Sequence, residues 1–446
     1  MSRKGRPGRG KEGTKAVKNG GHRAGKYQAL ILAAGESTRT RPLTTHMPKP
    51  MLPVAGRPLI RNIVENLVAE GICQIVIVRG HQGREVMECL ERWRKATKGG
   101  EDLEITFIEQ IERKGTAHAI GVAAGRFNAP FLCINGDIVV SRGQISGLLW
   151  AHEGSGNHVV GLHEVPDPAR YGIVQLDDEG SVKRIIEKPA KPPSRLANTG
   201  LYLFKPSIFD TIEKTPLSPR GEFEITETIN MTVGAGDTVR GFMFPKEEPY
   251  LDISVPWDLL RANELLMAGM AASKKDIMGT MEKHVTLDGC IRLGSGSVLR
   301  SGTYINGNVV IGEDCDIGPN CYLRGFTTIG DRCHVGAGVE IKNSIIMDGT
   351  KVPHLTYVGD SVIARDCNLG AGTQVANLRL DGKNVITYVK GMKADSGRRK
   401  LGVIMGQGVR TGVNATIMPG TVVGANAYIG AGAKAKGWIE EGARIY

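Results

Sequence analysis

IGEDCDIGPNCYLRGFTTIGDRCHVGAGVEI, residues 311–341, carries an aliphatic residue at every sixth position: Ile311, Ile317, Leu323, Ile329, Val335 and Ile341. The column runs back through Ile305, Leu299 and Leu293 to Leu287. Glycine often follows the aliphatic residue, and Cys315, Cys321, Cys333 and Val339 fill a small position four places after it. A six-residue period is that of a hexapeptide coil, in which each hexad supplies one short strand and one turn. Stacking the coils buries the aliphatic column, so residues 285–446 are expected to form a parallel β-helix.

The rhythm resumes out of phase at Ile363 and Leu369, and again from Met405 through Thr411, Ile417, Val423 and Ile429. Two stretches are therefore expected to leave the coil: GTKVPHLTYVGDS (349–361) and RLDGKNVITYVKGMKADSGRRK (379–400). Long departures from a regular scaffold tend to carry function. The first of them presents His354, hydroxyl groups and Asp360.

Ahead of the coil, residues 27–270 alternate short apolar runs with amphipathic stretches. ALILAAG (29–35), CQIVIVRG (73–80), LEITFIEQ and FLCING read as strands. PLIRNIVENLVAEG (58–71) places Leu59, Ile60, Ile63, Leu67 and Val68 at helical spacing, and GTAHAIGVAAGRF also reads as helical. Strand–helix–strand units of this length imply an α/β domain with a Rossmann-like, mostly parallel sheet. Ligands on such sheets bind beyond the carboxyl ends of the strands, which directs attention to the loops after ALILAAG and FLCING. Residues 271–284 read as a linker.

At 446 residues the chain exceeds one hydrophobic core, and 60 glycines against nine phenylalanines point to a part built from tight turns. No apolar run reaches the ~18 residues of a membrane span and no signal core opens the chain, so a cytoplasmic protein without membrane contact is expected. The net charge of +11 is concentrated in residues 1–26, which hold nine Lys/Arg and one Glu and leave +3 for the rest. That glycine-rich segment reads as a disordered tail, solvated or weakly attracted to RNA or acidic surfaces; the body does not have the charge of a basic nucleic-acid binder. None of the eight cysteines forms a Cys-x-x-Cys pair, which speaks against zinc.

LILAAGESTRTRPLTTHMPKPMLPV (30–54) follows a strand with a glycine and hydroxyl turn, then presents Arg39, Arg41 and Lys49. Residue chemistry alone reads it as an anion site built from backbone N–H groups and cations, or as a solvated basic loop. Asp137, after FLCING, and Asp252 could hold a hard cation or simply cap turns. This stretch resembles the signature of the sugar-1-phosphate nucleotidylyltransferases. The family's other motifs follow in order: Gln110 with GTAHA (115–119), NGD ending at Asp137, RYGIV (170–174), EKP (187–189), NTG (198–200) and YLDISVPWDLLRANE (250–264). The resemblance implies nucleotide contacts from Gly35, Gln110, Gly115 and Thr116, catalytic phosphate contacts from Arg39 and Lys49, and Mg²⁺ on Asp137 and Asp252. It places the sugar phosphate on Gly172, Glu187, Lys188 and Asn198.

The second half resembles the left-handed β-helix of bifunctional glucosamine-1-phosphate acetyltransferase/uridylyltransferases, most clearly from VEIKNSIIMDGTKVPHLTYVGD to LGAGT (339–373). That resemblance implies His354 as general base, Arg324, Lys342, Tyr357 and Asn368 around a sugar phosphate, and backbone near Ala371 at the thioester. Asn377 and Lys383 are implied as further contacts. After LGAGT the chain reads NLRLDG (377–382), closer to the archaeal branch than to the bacterial Asn-Tyr-Asp-Gly. The expected enzyme uses a nucleoside triphosphate such as UTP, a hexosamine-1-phosphate and acetyl-CoA, and forms a homotrimer. Two alternatives remain from the sequence: a monofunctional nucleotidylyltransferase with a structural coil, and a non-catalytic regulatory or exchange-factor subunit.

Overall fold

The computed structural model describes residues 25–446 apart from 81–82, 98–99, 249, 272 and 274–275. Nearly all of the basic tail therefore lies outside the described residues.

The first domain is organised by one mixed sheet. Gln28–Ala33 lies between Phe131–Asn135 and Gln74–Arg79, which pairs in turn with Glu104–Glu109; these four strands are all parallel. Leu196–Phe204 runs antiparallel to Phe131–Asn135 and carries the sheet on to Gly172–Leu176 and Val182–Glu187. Gln28–Ala33, Gln74–Arg79 and Phe131–Asn135 are buried along most of their length and apolar almost throughout, as inner parallel strands require, while Glu104–Glu109 at the edge is half-exposed. The helix predicted over 58–71 spans Leu59–Ala69 and turns Leu59, Ile60, Ile63, Val64 and Leu67 into the core. The one predicted from GTAHAIGVAAGRF is shorter: it covers Thr116–Gly121 and then breaks into turns. Gly121 is its last helical residue, and Gly125, where it would have continued, takes φ 77°.

The second domain is a left-handed parallel β-helix made of three parallel sheets of nine, eight and eight strands. Leu299, Ile317 and Val335 stack in one ladder, and Ile305, Leu323, Ile341 and Val358 in the next. The inward column is buried from Leu293 to Ile439, and Cys315, Cys321, Cys333 and Cys367 fill its corners. Leu287 is the exception. It belongs to the end strand of its sheet, Thr286–Asp288, which pairs on one side only among the described residues, and is 37% exposed. The ladder also begins inside the expected linker, since Thr280–Met281 already pairs with Val298–Leu299.

The expectation that 349–361 leaves the coil is corrected by the structure. Lys351–Val352 and Tyr357–Gly359 are strands in the ladders, and Ile346, Val352 and Val358 keep the six-residue spacing. The phase slips lie on either side, where Ile341 to Ile346 and Val358 to Ile363 span five residues. Each short corner turns through a left-handed residue, Asn343 (φ 45°) and Asp360 (φ 50°), conformations that Asn and Asp tolerate best among side-chain-bearing residues. The second excursion is real. Between Val375 and Val403 the chain forms an antiparallel hairpin, Ile386–Val389 with Met392–Asp395, and then rejoins in register.

The domains lie side by side. The outward residues Ile345, Val362, Ile404 and Val422 of one coil face join the hairpin's Val385 and first-domain residues such as Leu59 and Leu67 in one buried cluster. Asn263, wholly buried on helix Asp258–Ala268, accepts from Ala55 N and Thr328 Oγ1 at 2.8 Å each and donates to Phe326 O at 2.7 Å. Arg365 of the coil pairs with Glu85 of helix Arg84–Ala96, and His46 with Glu441 of the last coil at 3.2 Å.

Candidate active sites

The central strand Gln28–Ala33 delivers Gly35 to Lys49 to the carboxyl edge of the sheet. Ser37 sits at φ 55° and its carbonyl accepts from Thr40 Oγ1 and Thr44 Oγ1, both at 2.8 Å, so two buried threonines fix the turn. The turn floors a cleft of about 210 Å³ lined by Gly35, Ser37, Arg41, Lys49, Gly80 and Arg113. Its main-chain and cationic lining suits a polyphosphate.

Across the cleft, Ile138–Val139 pairs antiparallel with Leu251–Asp252, which sets Asp252 opposite Ile138 and brings Ile253 N to 3.0 Å from Asp137 O. Lys49 Nζ lies 2.5 Å from Asp137 Oδ2, and Ser254 Oγ donates to Asp252 Oδ2 at 2.5 Å. Burial, and then the negative charge of Asp137, hold the Asp252 carboxyl above its ordinary value, while Lys49 and Arg39 pull it down. Two facing carboxylates whose repulsion a divalent ion would relieve form a donor set that fits Mg²⁺, which takes one or two carboxylates together with water and phosphate oxygens.

Gly115 takes φ 103°, and a Cβ there would stand 2.5 Å from Phe223 O; no side chain fits. Thr116 Oγ1 accepts from Ile225 N at 3.0 Å, and buried Gln110 donates to His118 Nδ1 at 2.9 Å. Gly172 pairs with Glu187, and a Cβ on Gly172 would meet Glu187 Oε2 at 2.9 Å. Burial raises the Glu187 carboxyl, which Arg220 approaches at 3.3 Å. Lys188 is held at φ 44°, an uncommon conformation for a lysine that tends to mark a constrained site. Asn198 donates to Tyr202 Oη at 2.8 Å. Burial, and then the charge of Asp252, raise the Tyr171 hydroxyl, and the Tyr171 carbonyl accepts from Lys188 N at 3.0 Å. Sequence reasoning missed Arg220 and its second partner Glu224 at 2.7 Å, because neither lies in a recognised motif.

On the coil, Arg324, Lys342 and Gly359 stack in register, as do Tyr322, Glu340, Tyr357 and Gln374 beside them. Asp360, buried, gathers the candidates: it accepts from Lys342 Nζ at 3.0 Å and Asn377 Nδ2 at 2.6 Å, and Asn377 also reaches Tyr357 Oη at 3.2 Å. Arg324 pairs with Glu340 at 2.9 Å. His354 projects from the adjoining corner with its side chain exposed, and its carbonyl accepts from Gly372 N, next to Ala371, at 3.0 Å. The structure does not bring every candidate together within one chain. Asn368 lies on the neighbouring face, paired with Lys351 and Arg410, and Lys383 is exposed ahead of the hairpin.

Residues 28–268 match the family model described as nucleotidyl transferase, residues 284–392 that of the GMPPB C-terminal domain, and residues 402–433 the hexapeptide repeat of succinyl-transferase. Over 408 residues the chain is 40% identical to the bifunctional sugar-1-phosphate nucleotidylyltransferase/acetyltransferase of Sulfurisphaera tokodaii, covering 91% of this chain and 96% of that protein. The chain belongs to the bifunctional sugar-1-phosphate nucleotidylyltransferase/acetyltransferases. Another similar protein of this kind, bifunctional protein GlmU of Methanocaldococcus jannaschii, is 37% identical over 418 residues, 94% of this chain and 97% of its own. Among solved structures, a UDP-glucose pyrophosphorylase complexed with UDP-glucose aligns with 55% of this chain and 99% of its own at TM-score 0.49 and 24% identity. As a family member the chain is an enzyme with a nucleotidylyltransferase domain and a hexapeptide-repeat acetyltransferase domain. Among the described residues, no helix is long and apolar enough to cross a membrane.

Proposed function

We propose that the first domain transfers a uridylyl group from UTP to an N-acetylhexosamine-1-phosphate, and that the coil acetylates the parent hexosamine-1-phosphate from acetyl-CoA. The observation that carries the first activity is the Lys49–Asp137–Asp252 constellation facing the main-chain cleft at Gly35–Ser37. Lys49, Arg39 and Arg41 neutralise the triphosphate, and Gln110, Gly115 and Thr116 border the base. Gly172, Glu187, Lys188 and Asn198 hold the sugar phosphate. Its phosphate oxygen attacks the α-phosphorus and pyrophosphate leaves. The nucleophile is already ionised at neutral pH, so positioning and charge neutralisation suffice without a protein base. Asp137 and Asp252 would hold Mg²⁺, which would supply further positive charge to the phosphates.

On the coil, His354 takes a proton from the substrate ammonium so that the free amine can attack the thioester carbonyl; the amide forms as the C–S bond breaks and the coenzyme thiol leaves. Arg324, Lys342, Tyr357 and Asn377 hold the sugar phosphate, and backbone near Ala371 meets the thioester. Asn368 faces another flank, and Leu355 (68% exposed) and Val413 (52% exposed) crowd the intervening edge, which supports a homotrimer whose copies meet along that edge. The decisive assay supplies UTP, hexosamine-1-phosphate and acetyl-CoA in all combinations and identifies the products. Asp137→Asn and Asp252→Asn should each abolish most pyrophosphate release; full turnover by either refutes the carboxylate assignment.

A further inference from the structure

The buried carboxylate at the centre of the coil cluster is itself held from outside the coil. Asp360 engages its two oxygens differently. Oδ2 accepts from Lys342 Nζ and Asn377 Nδ2, the two donors directed at the proposed sugar-phosphate site. Oδ1 accepts from Asn343 Nδ2 at 2.9 Å. The same amide nitrogen also donates to Glu264 Oε1 at 2.9 Å, and Glu264 belongs to helix Asp258–Ala268 of the first domain. Both Asn343 amide hydrogens are thus used on carboxylates, one from each domain. Its Oδ1 is buried without a hydrogen-bond partner among the described residues, so the two donated bonds set the orientation of the amide. Arg398 of the hairpin excursion closes the chain of contacts by donating to the same Glu264 oxygen at 2.8 Å.

Resting on the reading of the coil as an acetyltransferase, we propose that Glu264 of the nucleotidylyltransferase domain is a positioning residue for acetyl transfer. It acts through Asn343 and Asp360 to fix Lys342 and Asn377 on the hexosamine phosphate. The geometry supports a relay rather than a general brace. The two five-residue corners place Asn343 directly over Asp360, and both take left-handed conformations that point their short side chains along the coil. Lys342 has three N–H donors and gives one to Asp360, which leaves the others for phosphate oxygens. An ammonium aimed this way selects a planar or tetrahedral anion at one place. A lysine whose counter-ion is free to turn spreads the same charge over several rotamers. Without Glu264 the amide of Asn343 loses one of its two anchors, Asp360 can rotate, and the ammonium moves with it.

The test measures KM for glucosamine-1-phosphate in acetyl transfer, with uridylyl transfer by the same preparation as the control for folding. Glu264→Ala removes the acceptor and should raise that KM roughly tenfold or more, the usual effect of a lost hydrogen bond to a charged group, with little change in uridylyl transfer. Glu264→Gln retains an oxygen at Oε1 and should restore KM to near the wild-type value, a rescue that a loss of packing would not show. Asp360→Asn should raise KM at least as far as Glu264→Ala. An unchanged KM in folded, uridylyl-active Glu264→Ala overturns the relay alone. A wild-type enzyme that consumes no acetyl-CoA overturns the acetyltransferase reading of the coil, and the relay with it.

Discussion

Replacing Asn263 by leucine tests whether the two domains form one thermodynamic unit. The side chain is fully enclosed and makes three hydrogen bonds, to Ala55 N, Thr328 Oγ1 and Phe326 O. Leucine keeps the branched outline of the amide but is bulkier, so lost polarity and overpacking both act against the variant. Thr328 Oγ1 keeps a weak alternative in Met267 Sδ at 3.5 Å, but Ala55 N and Phe326 O lose the partner that Asn263 supplies. Each buried group left unpaired costs about 1–3 kcal/mol, so the variant should be destabilised by roughly 2–6 kcal/mol. Ala55 sits at φ 51°, so the strained turn it forms with Gly56 loses an anchor as well. Calorimetry is the assay. Asn263→Leu should lower the melting temperature and separate the unfolding of coil and first domain. Thr328→Val should cost less, and the double variant should lose less than the two singles together, because they share one bond. A stability within about 0.5 kcal/mol of wild type would refute the assignment of the joint to this residue.

His354→Ala should reduce acetylation of glucosamine-1-phosphate by about 10²–10⁴-fold and leave uridylyl transfer unchanged, since that reaction takes place in the other domain without a base; equal loss of both would signal a folding defect instead. His158 is buried beside Phe204 and accepts from Lys205 N, and burial pushes its imidazole down to about 4. The unfolded chain therefore binds a proton that the folded chain refuses, so stability should fall as pH drops from about 6.5 to 4, by up to roughly 3 kcal/mol from this group. Urea titrations of wild type and His158→Phe across that window should show the steeper loss in the wild type. Gly115→Ala forces a methyl group against Phe223 O and should raise KM for the nucleotide with little effect on acetyl transfer; an unaltered KM would count against a nucleotide role for the 115–119 turn.

The coil was legible because its signal is periodic: one inward aliphatic residue recurs every six whatever stands at the positions between. The same periodicity misled at 349–361. A phase slip between two well-behaved runs looks like an excursion between them, although the missing residues lie in the corners at Asn343 and Asp360. Counting the spacing from Ile341 to Ile346 and from Val358 to Ile363 would have located them. Asp137 and Asp252 could be paired from their motifs, but Arg220 and Asn343 could not, because a partner reached across sheets or domains leaves no local pattern. The side-by-side packing was hidden for a related reason. Ile345, Val362, Ile404 and Val422 stand next to inward residues, so on the sequence they read as thicker core strands rather than as a second, outward surface.

That outward row has a bearing on ancestry and on dissection. A hexapeptide coil would ordinarily be the easiest kind of module to move between genes, since each turn leans only on its neighbours. Here one flank has become a contact surface, and a coil cut free at residue 280 would carry an uncovered aliphatic stripe into water. Changes on that stripe and on the helices facing it are therefore expected to be inherited as compensating sets. The two catalytic halves should be hard to shuffle between relatives, even where each half alone is well matched.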